Sequence, residues 1–107
     1  METILDDKIR YLQIAFNYNQ RLVRQVLPSI QESDRILIEA GTPYIKREGM
    51  DGVRLIRRYW GGHVVADMKV VDGALGEVDM AHAAGASAIT VLGNSPTETL
   101  DLFIKRC

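Results

Sequence analysis

Cysteine is all but missing from this chain: Cys107, the last residue, is the single one, so an intrachain disulfide is excluded. That fits a reducing, cytoplasmic setting. No apolar run approaches the roughly 20 residues of a membrane-spanning helix, and Met1 to Arg10 is too charged for a signal peptide. An excess of positive charge is lacking too. Thirteen basic against fourteen acidic side chains leave a net charge of −1, which removes the electrostatic footprint of a nucleic-acid binder. Gly61-Gly62 is followed by no phosphate-loop pattern, and no Asn-Gly or Asp-Gly hairpin turn separates paired strand runs. What remains, 47% hydrophobic and 25% charged residues over 107 positions, is the composition of one small globular domain spanning residues 1–107.

Two hydrophobic periods alternate along it. Residues 1–10 are polar and read as a short leading helix or arm. Tyr11 to Phe16 then reads as a strand, with Leu12, Ile14 and Phe16 on one face and Gln13, Ala15 and Asn17 on the other. Asn17 and Asn19 are good helix-start residues, and Leu22, Val23, Val26, Leu27 and Ile30 follow at helical spacing until Pro28 kinks or restarts the helix. Arg35 to Ala40 is a second strand, broken by Gly41-Thr42-Pro43; a loop leads to Gly49, and Met50, Val53, Ile56 and Tyr59 or Trp60 mark a second helix. His63 to Lys69 is a third strand, with Val65, Asp67 and Lys69 on one face. A helix follows through Leu75, Val78, Ala81 and Ala84, with Gly85 as its left-handed cap. Ser87 to Leu92 is a fourth strand. Ser95-Pro96-Thr97-Glu98 has the form of a capping box before a helix whose apolar face is Leu100, Phe103 and Ile104.

The order is β-α four times over, which predicts an α/β fold of parallel strands joined by right-handed crossovers. An open doubly wound sheet and half of a (β/α)8 barrel both fit this order. The barrel is favoured because each of the first three strands carries polar or charged groups on one face near its C-terminal end, whereas an open parallel sheet is apolar on both faces. Its outer strands would then be free edges, so association of two copies as half barrels, or completion by the other half of a longer chain, is expected.

The charge concentrates in Ala66 to Gly73, where Asp67, Lys69 and Asp72 fall within six positions at the end of an apolar run. By strand parity Asn17, Glu39, Asp67 and Lys69 share the inward face at the ends of three successive strands, with Asp72 just beyond, so in a barrel they converge on one pocket. Glu39 and Asp67 offer hard oxygen ligands for Mg²⁺, which accepts substrate and water oxygens in its remaining positions. Carboxylates beside Lys69 favour its ammonium form. Metal and ammonium together suit an enolate or enediolate oxygen and the delivery of a proton. His63 at a strand start and His82 on a helix read as surface or structural positions, and the pairs Lys46-Arg47 and Arg57-Arg58 as solvated helix and loop faces.

The Asp67-x-Lys69-x-x-Asp72 element resembles that of the orotidine 5′-monophosphate decarboxylase superfamily, whose members are barrels of this kind. Glu39-Ala40-Gly41-Thr42-Pro43, Ile45-Lys46, Glu48-Gly49-Met50-Asp51, Ala66-Asp67-Met68-Lys69 and Val91-Leu92-Gly93 are similar to the 3-hexulose-6-phosphate synthase branch, including the archaeal forms fused to a formaldehyde-activating domain. The resemblance implies Mg²⁺ held by Glu39 and Asp67, catalysis by Lys69 with Asp67 and Asp72, and an Asp72 that reaches the neighbouring subunit's site in a dimer. It implies addition of formaldehyde to ribulose 5-phosphate through an enediolate, with 3-keto-L-gulonate 6-phosphate or orotidine 5′-phosphate decarboxylation as the related alternative. Where the family's first strand ends in Ala-Leu-Asp, this one ends Ala15-Phe16-Asn17, an amide that can bind substrate but not act as a base. A non-catalytic half-barrel module is the reading from a different class.

Overall fold

The computed structural model describes residues 5–107, and its elements are β1 (Leu12–Phe16), α1 (Gln20–Val26), β2 (Ile36–Ala40), α2 (Thr42–Tyr59), β3 (His63–Val70), α3 (Ala74–Ala83), β4 (Ala88–Val91) and α4 (Thr97–Arg106). The four strands form one parallel sheet in the order β1-β2-β3-β4, so the expected succession of β-α units is what the chain adopts. The expected leading helix or arm lies partly outside the described residues; residues 5–10 run as turns.

Register explains the two faces. Ala15 pairs with Glu39 and Glu39 with Val65, while Phe16 pairs with Ala40 and Ala40 with Ala66. The second set faces the helices. There Phe16, Ile38, Ala40 and Val64 pack with Val23 and Leu27 and with Tyr44, Val53, Ile56 and Trp60 of α2 and its end, all buried. A smaller cluster of Val70, Ala74, Val78 and Phe103 lies beneath α3 and α4.

Local chemistry sets the helix ends. Asn19 caps α1, its side chain accepting from the Leu22 N–H at 2.9 Å, and Glu48 Oε2 accepts from the Gln20 N–H at 2.8 Å, which ties α1 to α2. Pro28 restarts the chain as a short 3₁₀ turn over Leu27–Ser29. The loop expected after Gly41 is instead the first part of α2: Pro43 stands in its first turn, where a missing N–H costs nothing, and buried Tyr44 anchors it. Gly49 then breaks the helix at φ 65°, a conformation that requires glycine although space around it is free.

Of the two aromatic residues left open at the end of α2, Trp60 is the buried one, because the helix ends at Tyr59 and the chain turns inward. The readings of Val26, Leu75, Ile104 and the capping box are corrected. Val26 is half exposed. Leu75 and Ile104 face outward, since Ala74 and Val78 occupy the inner stripe of α3 and Thr99 and Phe103 that of α4. The capping box does not form: the Ser95 hydroxyl donates to the Val70 carbonyl at 3.1 Å, and α4 has no side-chain cap. Gly85 does close α3 in the left-handed region, at φ 104°.

Tyr44 supplies a pH prediction. Its hydroxyl donates to the Gly52 carbonyl at 2.7 Å in the core, and burial, reinforced by the charge of Glu48, pushes the phenol up to about 12. A pKa raised in the folded state gives stability that is complete below the unfolded value near 10 and is lost as pH rises through 12. Urea unfolding at pH 8 and pH 11 should show a loss of about 1.4 kcal/mol for this group in the parent chain. Tyr44→Phe should flatten that slope.

Candidate active site

The face of the sheet turned away from the helices carries Gln13 of β1, Glu39 of β2, Asp67 of β3 and Thr90 of β4, one polar side chain from each strand. Gln13 Nε2 donates to Glu39 Oε1 at 2.6 Å. Asp67 has a side chain 18% exposed, beside a Lys69 that is 49% exposed. Asp67 Oδ1 accepts from the Thr90 hydroxyl at 2.7 Å, and Oδ2 accepts from Lys69 Nζ in a short ion pair. Thr42, at the first position of α2, donates its hydroxyl to the Asp67 carbonyl at 2.7 Å and accepts from Lys69 Nζ at 2.8 Å.

Lys69 sits here by an irregular route. Ala66 pairs with Ile89 and Val70 with Val91, so β3 carries two more residues than β4 between those points. Lys69 lies on this bulge in the left-handed region at φ 47°, the one non-glycine residue among those described to do so. Such a conformation costs on the order of 1–3 kcal/mol and persists only when neighbours fix it. The Lys69 N–H donates to the Thr90 hydroxyl at 3.0 Å rather than to a strand carbonyl.

Electrostatics follow from this packing. Burial pushes the Asp67 carboxyl up, but hydrogen bonds from Lys69 and Thr90, the nearby Thr42 hydroxyl and the charge of Lys69 outweigh it and hold the group below the ordinary carboxylate value. Asp67 is therefore an anion, and Lys69 its counter-ion. Of the three ammonium hydrogens, Thr42 and Asp67 take two, and the third has no acceptor among the described residues.

The remaining expected site residues are placed differently. Glu39 shares the face of Asp67 but bonds to Gln13. Asn17 is exposed just past β1 and rests against Gly41: a Cβ added there would come within 1.8 Å of Asn17 Oδ1. Asp72 is exposed beyond β3, and among the described residues its side chain has no hydrogen bond or ion pair. His63 stands at the opposite end of β3 and His82 on the outer face of α3, so neither joins the site. Gln13, Thr42 and Thr90 join the site beyond the expected residues. Strand parity marks Gln13 and Thr90, whereas Thr42 sits in a Gly-Thr-Pro breaker that carries no such signal.

A metal must be accommodated by this donor set as it stands. Among the described residues no group of three His, Cys, Asp or Glu side chains gathers. Mg²⁺ asks for less, as few as one or two carboxylates with substrate and water supplying the rest. Glu39 and Asp67 are two carboxylates on the same face of adjacent strands, the donor type such an ion takes.

Residues 10–107 match the orotidine 5′-phosphate decarboxylase / HUMPS family. The bifunctional enzyme Fae/Hps of Methanothrix thermoacetophila is 44% identical over 97 residues, covering 89% of this chain and 25% of that protein. Among solved structures, 3-hexulose-6-phosphate synthase from Salmonella typhimurium matches with a TM-score of 0.81 at 31% identity, covering 90% of this chain and 46% of that one. The 3-keto-L-gulonate-6-phosphate decarboxylase from Vibrio cholerae matches with a TM-score of 0.72 at 25% identity, over 91% of this chain and 58% of that one. These are TIM-barrel proteins, and the four β-α units here correspond to the N-terminal half of such a barrel. The chain spans about a quarter of the length of the curated relatives it matches and about half that of the solved ones. No helix among the described residues is long and apolar enough to cross a membrane.

Proposed function

The chain belongs to the orotidine 5′-phosphate decarboxylase / HUMPS family, and from that premise we propose that it carries the lysine-centred half of a lyase site acting on a phosphorylated ketose. The reaction is of the 3-hexulose-6-phosphate synthase type: formaldehyde adds to C1 of ribulose 5-phosphate through an enediolate, and the product is a hexulose 6-phosphate. The observation that carries this reading is the Asp67–Lys69 pair, held by two threonine hydroxyls at the half-exposed end of the lysine.

In this proposal Glu39 and Asp67 hold Mg²⁺, which when bound stabilises the negative charge of the enediolate oxygens. The chain's own residues handle position and protons. The C1 proton of ribulose 5-phosphate passes to solvent as the enediolate forms; when the new carbon–carbon bond forms, the formaldehyde oxygen becomes an alkoxide, and Lys69 delivers the proton it needs and is reprotonated from solvent. Asp67 keeps Lys69 charged and aimed. Asn17, at the mouth beside Gly41, hydrogen-bonds a substrate hydroxyl. Asp72, exposed just beyond the end of β3, would take part in a neighbouring subunit's site. The free edges of β1 and β4 call for further strands, from a second copy or from a longer chain, and the phosphate grip would come with them.

The related decarboxylase reading uses the same lysine. Loss of CO₂ from 3-keto-L-gulonate 6-phosphate also leaves an enediolate, which Lys69 would protonate at carbon, and the match to the Vibrio cholerae structure favours keeping it in view. One assay separates the two. Formaldehyde consumption with ribulose 5-phosphate, abolished by EDTA and restored by Mg²⁺, is the expected result. CO₂ release from 3-keto-L-gulonate 6-phosphate without formaldehyde consumption would replace it with the decarboxylase. Absence of both activities, with both ligands failing to raise the melting temperature, would leave the non-catalytic module.

A further inference from the structure

We propose that Thr42 and Thr90 are positioning residues for Lys69, one fixing its ammonium and the other its backbone. The inference rests on the reading of Lys69 as the proton donor, but its evidence is geometric. Each hydroxyl has one hydrogen, and here the direction of every bond is determined. An amide N–H and an ammonium can only donate, so Thr90 must accept from the Lys69 N–H and Thr42 from Lys69 Nζ. The two hydroxyl hydrogens are thereby released for Asp67: Thr90 donates to its Oδ1 and Thr42 to its carbonyl. Among the described residues every hydrogen in this set has an acceptor except the third hydrogen of the Lys69 ammonium.

The bulge gives Thr90 its necessity. Because β3 has two extra residues opposite β4 between Ala66 and Val70, the Lys69 N–H falls out of step with the β4 carbonyls. The Thr90 side chain replaces the missing ladder partner and holds a left-handed backbone that a lysine would otherwise leave. Thr42 arrives from another element, the first residue of α2, and so fixes the far end of the same side chain independently. Lys69 is gripped at both ends although half its side chain is exposed.

The test uses Thr90→Val, Thr90→Ser, Thr42→Val and Thr42→Ser in the whole chain, with two readouts. By ¹⁵N NMR, Thr90→Val should speed hydrogen exchange of the Lys69 amide at least tenfold while the Ile38 and Val64 amides stay protected; Thr90→Ser should restore it to within threefold. Thr42→Val should leave that amide protected. In the formaldehyde assay both valine variants should lower kcat at least tenfold with KM for ribulose 5-phosphate moved less than threefold, and both serine variants should recover most of kcat. The proposal is overturned if Thr90→Val leaves the Lys69 amide as protected as in the parent, if the serine variants behave like the valines, or if KM alone changes. Should the parent and Lys69→Ala be equally inactive, the lyase reading fails, and the exchange readout still decides the clamp by the same criteria.

Discussion

Lys69→Ala is expected to lower turnover by about a thousandfold, in the range seen when a positioned general acid is removed, while the chain remains folded. The side chain is half exposed, so its loss opens no cavity, and alanine accepts the φ of 47° about as poorly as lysine does. The fold should therefore feel the change mainly through Asp67. In the parent the Asp67 carboxyl lies below its ordinary value, so its contribution to stability is present above the unfolded pKa near 3.9 and is lost as pH falls through the lowered folded pKa. Removing Lys69 takes away a hydrogen bond and a charge that lower it, and burial, which raises it, gains ground. The acid limb of a urea-midpoint profile between pH 7 and pH 3 should be shallower in the variant. Unchanged turnover in a folded variant would sink the role assigned to Lys69; unchanged turnover with a shallower acid limb would reduce the ion pair to a structural one.

The order of elements was legible because strand and helix periods alternate with clear breaks, and parity placed Glu39 and Asp67 on one face because parallel register preserves it. Lys69 was assigned to that face by the same parity, yet it reaches Asp67 and Thr42 through a bulge and a left-handed residue that alternation cannot show. Thr42 was hidden by its neighbours: Gly41-Thr42-Pro43 ends a strand, but the same three residues begin a helix, and only tertiary contact reveals that its hydroxyl points at the lysine. Ser95 shows the converse. Its sequence context favours a local cap, and a distant carbonyl, that of Val70, takes the hydroxyl instead. Leu75 and Ile104 fit a helical stripe as well as their buried neighbours do, since a 3.6-residue period admits two adjacent stripes and the packing partner chooses between them.

Arg57 was the reading most fully reversed, and it leads to the largest expected effect on stability. An arginine among the polar positions of a helix reads as solvated, because nothing in sequence announces backbone carbonyls as partners. In the fold its Nε donates to the Gly85 carbonyl at 2.8 Å, one terminal nitrogen donates to the Trp60 and Gly62 carbonyls at 2.9 and 2.7 Å, and the other donates to the Ser87 hydroxyl at 3.0 Å. The guanidinium thus joins the end of α2, the turn into β3, the cap of α3 and the entry to β4. Its stem also packs on Gly85, where a Cβ would come within 2.6 Å of Arg57 Cγ. A single hydrogen bond to a charged group contributes about 1.5–3 kcal/mol, and shared bonds on a half-buried side chain do not add, so Arg57→Ala should cost about 3 kcal/mol. For a domain near 100 residues that lowers the melting temperature by roughly 12–24 °C. Arg57→Lys should recover less than half of the loss, because an ammonium cannot reach all four of these acceptors. Ser87→Ala provides the cross-check: its hydroxyl accepts from Arg57 and from the Val64 N–H at 3.1 Å, so its effect should be smaller when Arg57 is already alanine. Additive losses in that cycle, or a loss below about 1 kcal/mol for Arg57→Ala, would mean that water replaces the guanidinium and that the lower ends of β3 and β4 are held by the sheet alone.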